Sequence, residues 1–388
     1  MRIRVGVIFG GETVEHEVSI ISAIQAIEHM DQEKYEIIPI YIAKDRSWYT
    51  GKMLLEIDSY QDIELIKKYA KKVALVKKSD TFVLQKIGGL FNKTLNELDV
   101  IFPIVHGNNV EDGSLQGYLE TIGVPYIGSK VLGAALGQDK VVMKQVMDNY
   151  DIPLVDYTWF YDFEYYQDKE TILKDVKKIK YPVIVKPAKL GSSVGITIAY
   201  DDTTIEPAIE EAIKYDNKII VEEVIPNLLE FNCSVLGNYE FQETSAIDQI
   251  ATKSALLTYD DKYSGKKNKG MAGSNRILPA PIDSKLAKEI SELAKSTFKA
   301  LNMDGVVRID FLYDSKKKKL YVNEPNTIPG SLAFYLWEAN GKKYSELLDN
   351  LITMCIKNFK DKSKKTYSFD TNILNNFRGL KGSKGFKK

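Results

Sequence analysis

Cysteine and histidine are scarce in this chain of 388 residues: two cysteines, Cys233 and Cys355, and three histidines. Two solitary cysteines far apart in apolar surroundings read as reduced core residues, not as a disulfide framework or a metal cluster. No histidine stands at a metal-ligand spacing, so His106 reads as structural. Net charge is also missing. Lys plus Arg and Asp plus Glu both number 53, which removes any general attraction for nucleic acid or an anionic membrane. No stretch approaches the ~20 apolar residues that span a bilayer, and the apolar run at the N-terminus is too short for a signal segment. A cytoplasmic enzyme with no nucleic-acid or membrane partner is the expectation these absences leave.

What is present is ordinary globular sequence. A hydrophobic content of 44% over this length exceeds what one compact core needs, so two or three packed subdomains are predicted. Residues 3–9 (IRVGVIF) form a β-branched run closed by Gly10 and Gly11. A helical pattern follows, with Val18, Ile21, Ile24 and Ile27 at three-residue steps, and strands are predicted over Tyr35–Ile42 and Val100–Val105. Strand, helix, strand with glycines at the strand end predicts an open parallel sheet wrapped by helices. Between them, 73–76 and 81–84 suggest a hairpin. A second unit starts near Ser129, with one helix predicted over Leu132–Tyr150. Strands are predicted over 181–185 and 194–200 around a small-residue loop, then a helix over 204–215 and strands over 218–224, 230–236 and 240–250. After a Lys- and Gly-rich stretch come a helix (284–301), a hairpin (306–323) and a last helix (344–358). Residues 360–388 hold nine basic and two acidic residues with scattered glycine and read as a solvated, partly disordered tail.

Three segments carry chemistry. In Val306-Val-Arg-Ile-Asp-Phe-Leu-Tyr313 the side chains alternate, so Arg308 and Asp310 share a face, as do Glu324 and Asn326 if the second strand reaches that far. The turn lies over 315–319, which sets Asp310 nearly opposite Glu324. Like charges this close destabilise a sheet unless a positive charge sits between them, and a hard cation shared with nucleotide phosphates is one remedy. A polar face in which Arg308 neutralises Asp310 is the other. The second segment, Lys186-Pro-Ala-Lys-Leu-Gly-Ser-Ser-Val-Gly195, offers backbone N–H groups and hydroxyls to phosphate oxygens, with Lys186 as a fixed charge. It is neither a Walker loop nor a dinucleotide fingerprint. The third, Phe9-Gly-Gly-Glu-Thr-Val-Glu-His-Glu17, opens a helix where Glu15 and Glu17 either meet a substrate cation or complement the helix dipole.

These segments occur in order with FPIVHGNNVEDGSLQGYLETIGVPYIGS, QDKVVMK and VNEPNTIPG, and together they resemble the ATP-grasp superfamily, most closely its D-alanine–D-alanine ligases, over residues 3 to about 355. The resemblance implies an α/β chain: a Rossmann-like substrate-binding domain (1–128), a two-part ATP-grasp fold (129–215 and 216–359) and the tail (360–388). It implies a homodimer that uses ATP and two magnesium ions, replaceable by manganese, to join two amino acids. By resemblance, Lys140 and Lys186 contact ATP phosphates under a mobile loop carrying Ser192 and Ser193. Glu222 and Val224 meet adenine, Glu230 the ribose, and Asp310, Glu324 and Asn326 the metal. Glu15, helped by Ser192 and Tyr263, binds the first substrate's ammonium. Arg308 and the Gly330 backbone stabilise an oxyanion, and Lys262 lies near the acceptor's carboxylate.

Two places depart from the family. After NTIPG the family has a hydroxyl-rich stretch with a serine for the acceptor's carboxylate. This chain reads Ser331-Leu-Ala-Phe-Tyr-Leu-Trp337, about four residues shorter. The loop after Tyr263 is longer and basic, with Lys266, Lys267, Lys269 and Arg276. Either this loop is simply solvated, or the acceptor pocket is altered. D-Alanyl-D-alanine synthesis is therefore the first expectation. A ligase for another amino acid, a hydroxy acid or a peptide, and a nucleotide-binding relative without catalysis, stand beside it.

Overall fold

The computed structural model describes residues 2–88, 93–250 and 276–369, and three sheets organise them. The first is built on β1 (Ile3–Gly10), whose apolar residues are fully buried from Val5 onward. β2 (Tyr35–Ile42) follows, then β3 (Trp48–Thr50), β4 (Lys71–Lys78), β5 (Thr81–Lys86), β6 (Thr94–Leu98) and β7 (Val100–Pro103). Only β2–β1–β7 pair in parallel. The remaining strands extend the sheet antiparallel in the order β6-β5-β4-β3-β2-β1-β7, so the predicted parallel sheet is the core of a mixed one.

The crossover from β1 to β2 is the helix His16–His29. Its buried residues include Ser19, Ile20, Ala23, Ile24, Ala26 and Ile27, whereas Ile21 is 40% exposed. The predicted three-residue row is thus displaced. A helix turns every 3.6 residues, so a strict three-step row winds off the buried face. Ser19 fixes the helix against the sheet by accepting from the Gly10 amide (2.8 Å) and donating to the Ile104 carbonyl (2.7 Å).

The second sheet contains β8 (Tyr157–Tyr161), β9 (Val183–Pro187), β10 (Thr197–Ala199) and β11 (Lys218–Glu223), in the order β10-β9-β11-β8. The third contains β12 (Leu228–Gly237), β13 (Gln242–Ile250), β14 (Arg276–Ile277), β15 (Gly305–Asp314) and β16 (Lys319–Asn326), in the order β14-β13-β12-β15-β16. Each sheet packs one face on helices, Ile205–Ile213 for the second and Ser284–Ala300 for the third. The predicted single helix over 132–150 is two, Val131–Gln138 and Lys140–Asp148. Asp139 divides them because its carboxylate caps the Val141 and Val142 amides (3.0 and 3.2 Å) and pairs with Lys218 (2.6 Å). The helices Ser114–Ile122, Asp162–Gln167 and Lys169–Val176 and the strand β8 have no counterpart in the sequence reading.

The last helix runs on to Ser363, past the predicted start of the tail, and buries Tyr344, Leu347, Leu348 and Leu351 in the core of the first sheet. Both cysteines are buried and free, and burial pushes each thiol up to about 12. Among the described residues no helix is long and apolar enough to cross a membrane.

Candidate active site

β16 does reach Asn326, and the hairpin register sets Asp310 against Glu324 and Arg308 against Asn326. One feature was not readable from alternation: the register slips between Asp310 and Phe311, a bulge placed at the paired carboxylates. The Asp310 carboxylate accepts both prongs of the Arg308 guanidinium (2.6 and 2.8 Å) and the Asn326 amide (3.0 Å). Glu324 faces Lys140 at 3.4 Å. Each of the facing acids has a protein cation beside it, Arg308 on Asp310 and Lys140 on Glu324. Burial works against the Arg308 charge, but Asp310 outweighs it and raises the guanidinium further. Among the described residues no three His, Cys, Asp or Glu side chains form a metal cage. Two carboxylates and one amide are a hard, oxygen-rich and incomplete donor set, which fits magnesium completed by phosphate oxygens.

Three lysines stand behind this hairpin. Lys140 opens the helix Lys140–Asp148, and its ammonium also donates to the Leu190 carbonyl (3.0 Å), joining the Gly/Ser loop to Glu324. Lys186 on β9 pairs with Glu222 on β11 at 2.6 Å. Lys144, unremarked in the sequence, touches the other oxygen of Glu222 at 3.1 Å and is fully buried. It lies four residues after Lys140 and so on the same helix face, which is the signal that could have found it. Burial alone would raise the Glu222 carboxyl, but the two lysines outweigh it and hold it at about 2. Burial lowers Lys144, while Lys186, against the same pull, is raised by Glu222 and Glu324, with Glu230 also in reach. Val224, just beyond β11, donates its amide to the Pro182 carbonyl (3.1 Å).

The Gly/Ser loop links β9 to β10 and turns through left-handed backbone at Ser192 (φ 55°) and Ser193 (φ 60°). Ser192 donates its hydroxyl to the Glu15 carboxylate. Glycine is required where Glu15 approaches: a Cβ on Gly107 (φ 86°) would fall 2.1 Å from Thr13 Oγ1 and 3.0 Å from Glu15. Gly10 (φ 92°) is equally restricted, since a Cβ there would meet the Ile42 carbonyl at 2.3 Å. Glu17 is not part of this site. It is exposed and pairs with Lys44 at 2.7 Å. His106 is buried and shares a hydrogen bond with Ser22 (3.0 Å), a structural role as expected. Lys262, Tyr263, Lys266, Lys267 and Lys269 lie outside the described residues.

Glu111, passed over in the sequence beside His106, clamps the segment after β7 to the far end of the hairpin. Its carboxylate accepts from the Gly107 amide, the Thr327 hydroxyl and the Ile328 amide, each at 2.9 Å, two residues before buried Gly330. Burial, then the nearby Glu15 charge, raises the Glu111 carboxyl from 4.5 to about 7. The folded chain therefore keeps this proton between those values, where the unfolded chain has lost it. The resulting contribution favours folding below 4.5 and is lost as pH rises through about 7, a change of roughly 3 kcal/mol. Melting curves at pH 5 and pH 8 check this: wild type is expected to lose more stability across the interval than Glu111→Gln. Parallel losses would remove Glu111 as the source.

A model of the "D-ala D-ala ligase C-terminus" matches residues 146–353, and one of the "D-ala D-ala ligase N-terminus" matches residues 4–129. A D-alanine–D-alanine ligase of Thermosipho melanesiensis is 41% identical over 96% of this chain and 98% of its own length. Among solved structures, the VanG D-Ala:D-Ser ligase of Enterococcus faecalis superposes with a TM-score of 0.77 at 30% identity, covering 92% of this chain and all of its own. The D-alanine–D-alanine ligase of Coxiella burnetii gives 0.79 at 28% identity, covering 94% and 98%.

Proposed function

Because the chain belongs to the D-alanine–D-alanine ligase family, we propose that it joins two D-alanine molecules at the expense of ATP, for peptidoglycan precursor synthesis. The enzyme is an ATP- and magnesium-dependent ligase that forms a C–N bond. The observation that carries the site assignment is the facing of Asp310 and Glu324 across β15 and β16, with Lys140, Lys186 and Arg308 around them. In this reading adenine meets Glu222 and Val224, the ribose Glu230, and the phosphates Lys140 and Lys186 under Ser192 and Ser193. Asp310, Glu324 and Asn326 would hold magnesium, which would supply charge neutralisation on the triphosphate.

Glu15, with Ser192 and Tyr263, fixes the ammonium of the first amino acid. The donor carboxylate attacks the γ-phosphorus, the bond to ADP breaks, and an acylphosphate forms. The acceptor's amine then adds to the acyl carbon and inorganic phosphate leaves. Arg308 keeps two of its N–H groups on Asp310 and turns the remaining ones to the oxyanion of that addition, together with the Gly330 amide. The Gly/Ser loop excludes water, which would otherwise hydrolyse the acylphosphate. Lys262 assists at the acceptor's carboxylate. A homodimer in the cytoplasm completes the proposal.

A second reading changes only the acceptor, and the short segment after Gly330 favours it. A phosphate-release assay with magnesium separates the two: D-alanine alone is expected to drive turnover. If D-alanine alone gives none while another acceptor added to it does, the second reading holds. If no amino acid does, the ligase assignment fails.

A further inference from the structure

Charge balances over the whole chain but not along it. Residues 63–93 hold eight lysines against two acids, Glu64 and Asp80, an excess of six positive charges with no arginine among them. All eight lysines are exposed, and among the described residues only Lys67 makes an ion pair, with Glu64 at 3.0 Å. By contrast, Lys44, Lys177 and Lys357 elsewhere on the surface each pair with an acid. The fold brings six of the eight to one end of the β4–β5 hairpin. Lys67 and Lys68 close the helix Ile63–Tyr69, which passes through Ala70 into Lys71 and Lys72 at the start of β4. The Lys72 carbonyl accepts the Ile87 amide and the Lys93 carbonyl the Lys86 amide, each at 2.9 Å, so Lys86 and Lys93 stand at the same end. Lys71 and Lys72 leave opposite faces of the strand, but both reach a plane that meets the hairpin end-on.

Large apolar side chains are exposed in the same place: Tyr69 is 64% exposed, Ile87 47% and Leu65 45%. Leu65 and Tyr69 lie one turn apart on one helix face, and the Lys68 ammonium stands 5.3 Å from the Tyr69 ring centre. The core under the hairpin is filled by other residues, Val73, Leu75 and Leu84. Lysines interleaved with exposed apolar side chains fit the surface of an anionic bilayer, where ammonium groups meet phosphates and apolar side chains enter the headgroup boundary. A nucleic acid would use the charge but not Leu65 and Ile87, and the patch has no arginine to grip phosphates or base edges with two prongs. A second copy of the chain fits poorly, because a two-fold contact sets lysines against lysines.

We propose that this end of the β4–β5 hairpin is a reversible docking site for an anionic phospholipid surface. Lys68, Lys71, Lys72, Lys86 and Lys93 supply the charge, and Tyr69 and Ile87 the apolar contact. The zero net charge of the chain hides this site, because attraction to a surface depends on the charges within about one Debye length of it. The patch belongs to the first sheet, whereas Asp310 and Glu324 belong to the third, so docking is independent of the ligase reading.

Flotation of the full chain with lipid vesicles tests this. Vesicles of phosphatidylglycerol and phosphatidylcholine in equal parts are expected to bind wild type about tenfold or more tighter than vesicles of phosphatidylcholine alone, and to release it at high salt. Replacing Lys68, Lys71, Lys72 and Lys86 together by glutamine is expected to weaken that binding about tenfold or more, with an unchanged melting curve to show that the fold is intact. Tyr69→Ser combined with Ile87→Ser is expected to weaken vesicle binding about fivefold while leaving binding to heparin within about twofold, which separates a bilayer from a soluble polyanion. Equal binding to both vesicle types overturns the proposal. Undiminished binding by the glutamine variant also overturns it, by moving the attraction to another basic segment such as 360–388. So does vesicle binding indifferent to the Tyr69 and Ile87 changes, which would make the patch a general polyanion site.

Discussion

Replacing Glu324 by glutamine is expected to lower kcat by about 10³-fold or more while leaving the melting temperature within a few degrees of wild type. The substitution keeps volume and hydrogen-bonding capacity but removes one of the two negative charges facing each other across the hairpin. Losing that facing relieves a repulsion in the sheet, while losing the Lys140 pair at 3.4 Å gives up an attraction, so the two changes oppose each other in the fold. In the proposed site catalysis would lose a ligand that would hold magnesium at the triphosphate, an effect worth several kcal/mol, and each 1.36 kcal/mol is tenfold in rate. Kinetics against magnesium concentration, alongside a melting curve, measures both. Turnover within tenfold of wild type would remove Glu324 from the metal site.

Arg308→Lys is expected to lower kcat by about 10²–10³-fold with a much smaller change in ATP affinity. Arginine grips Asp310 with two parallel prongs at 2.6 and 2.8 Å, and lysine cannot reproduce that fork. In the proposed mechanism the substitution would therefore loosen a metal ligand and also remove the planar donor that would face the oxyanion. Comparing nucleotide binding by calorimetry with turnover separates these losses from nucleotide affinity. A proportionate loss of ATP binding and turnover would reassign Arg308 to nucleotide binding alone.

The hairpin was legible because a period of two and a turn at 315–319 determine which residues face each other. The bulge beside Asp310 was not, since nothing in the alternation of Val306–Tyr313 signals an extra residue on the opposite strand. Lys140, Lys186, Glu15 and Ser192 were all singled out, and the structure pairs Lys140 with Leu190 and Glu324, Lys186 with Glu222, and Ser192 with Glu15. Lys144 was missed because a lysine in a helix usually reads as solvated, although its spacing from Lys140 held the clue. Glu111 and the Arg276–Tyr335 stack depend on contacts between residues 216 and 59 positions apart, which local patterning does not report. The row through Ile21 failed for a different reason: small residues, Ser19, Ser22 and Ala23, set the close face of that helix, so the largest apolar side chains do not all mark it.

In the proposed reaction the donor carboxylate itself attacks ATP within this site. D-Alanine labelled with oxygen-18 in both carboxylate oxygens tests it directly, by mass spectrometry of the phosphate released during dipeptide formation. Attack by the carboxylate followed by amine addition must leave one labelled oxygen in each phosphate, with the other kept in the new peptide bond. Unlabelled phosphate, produced by water attacking ATP, would contradict the account.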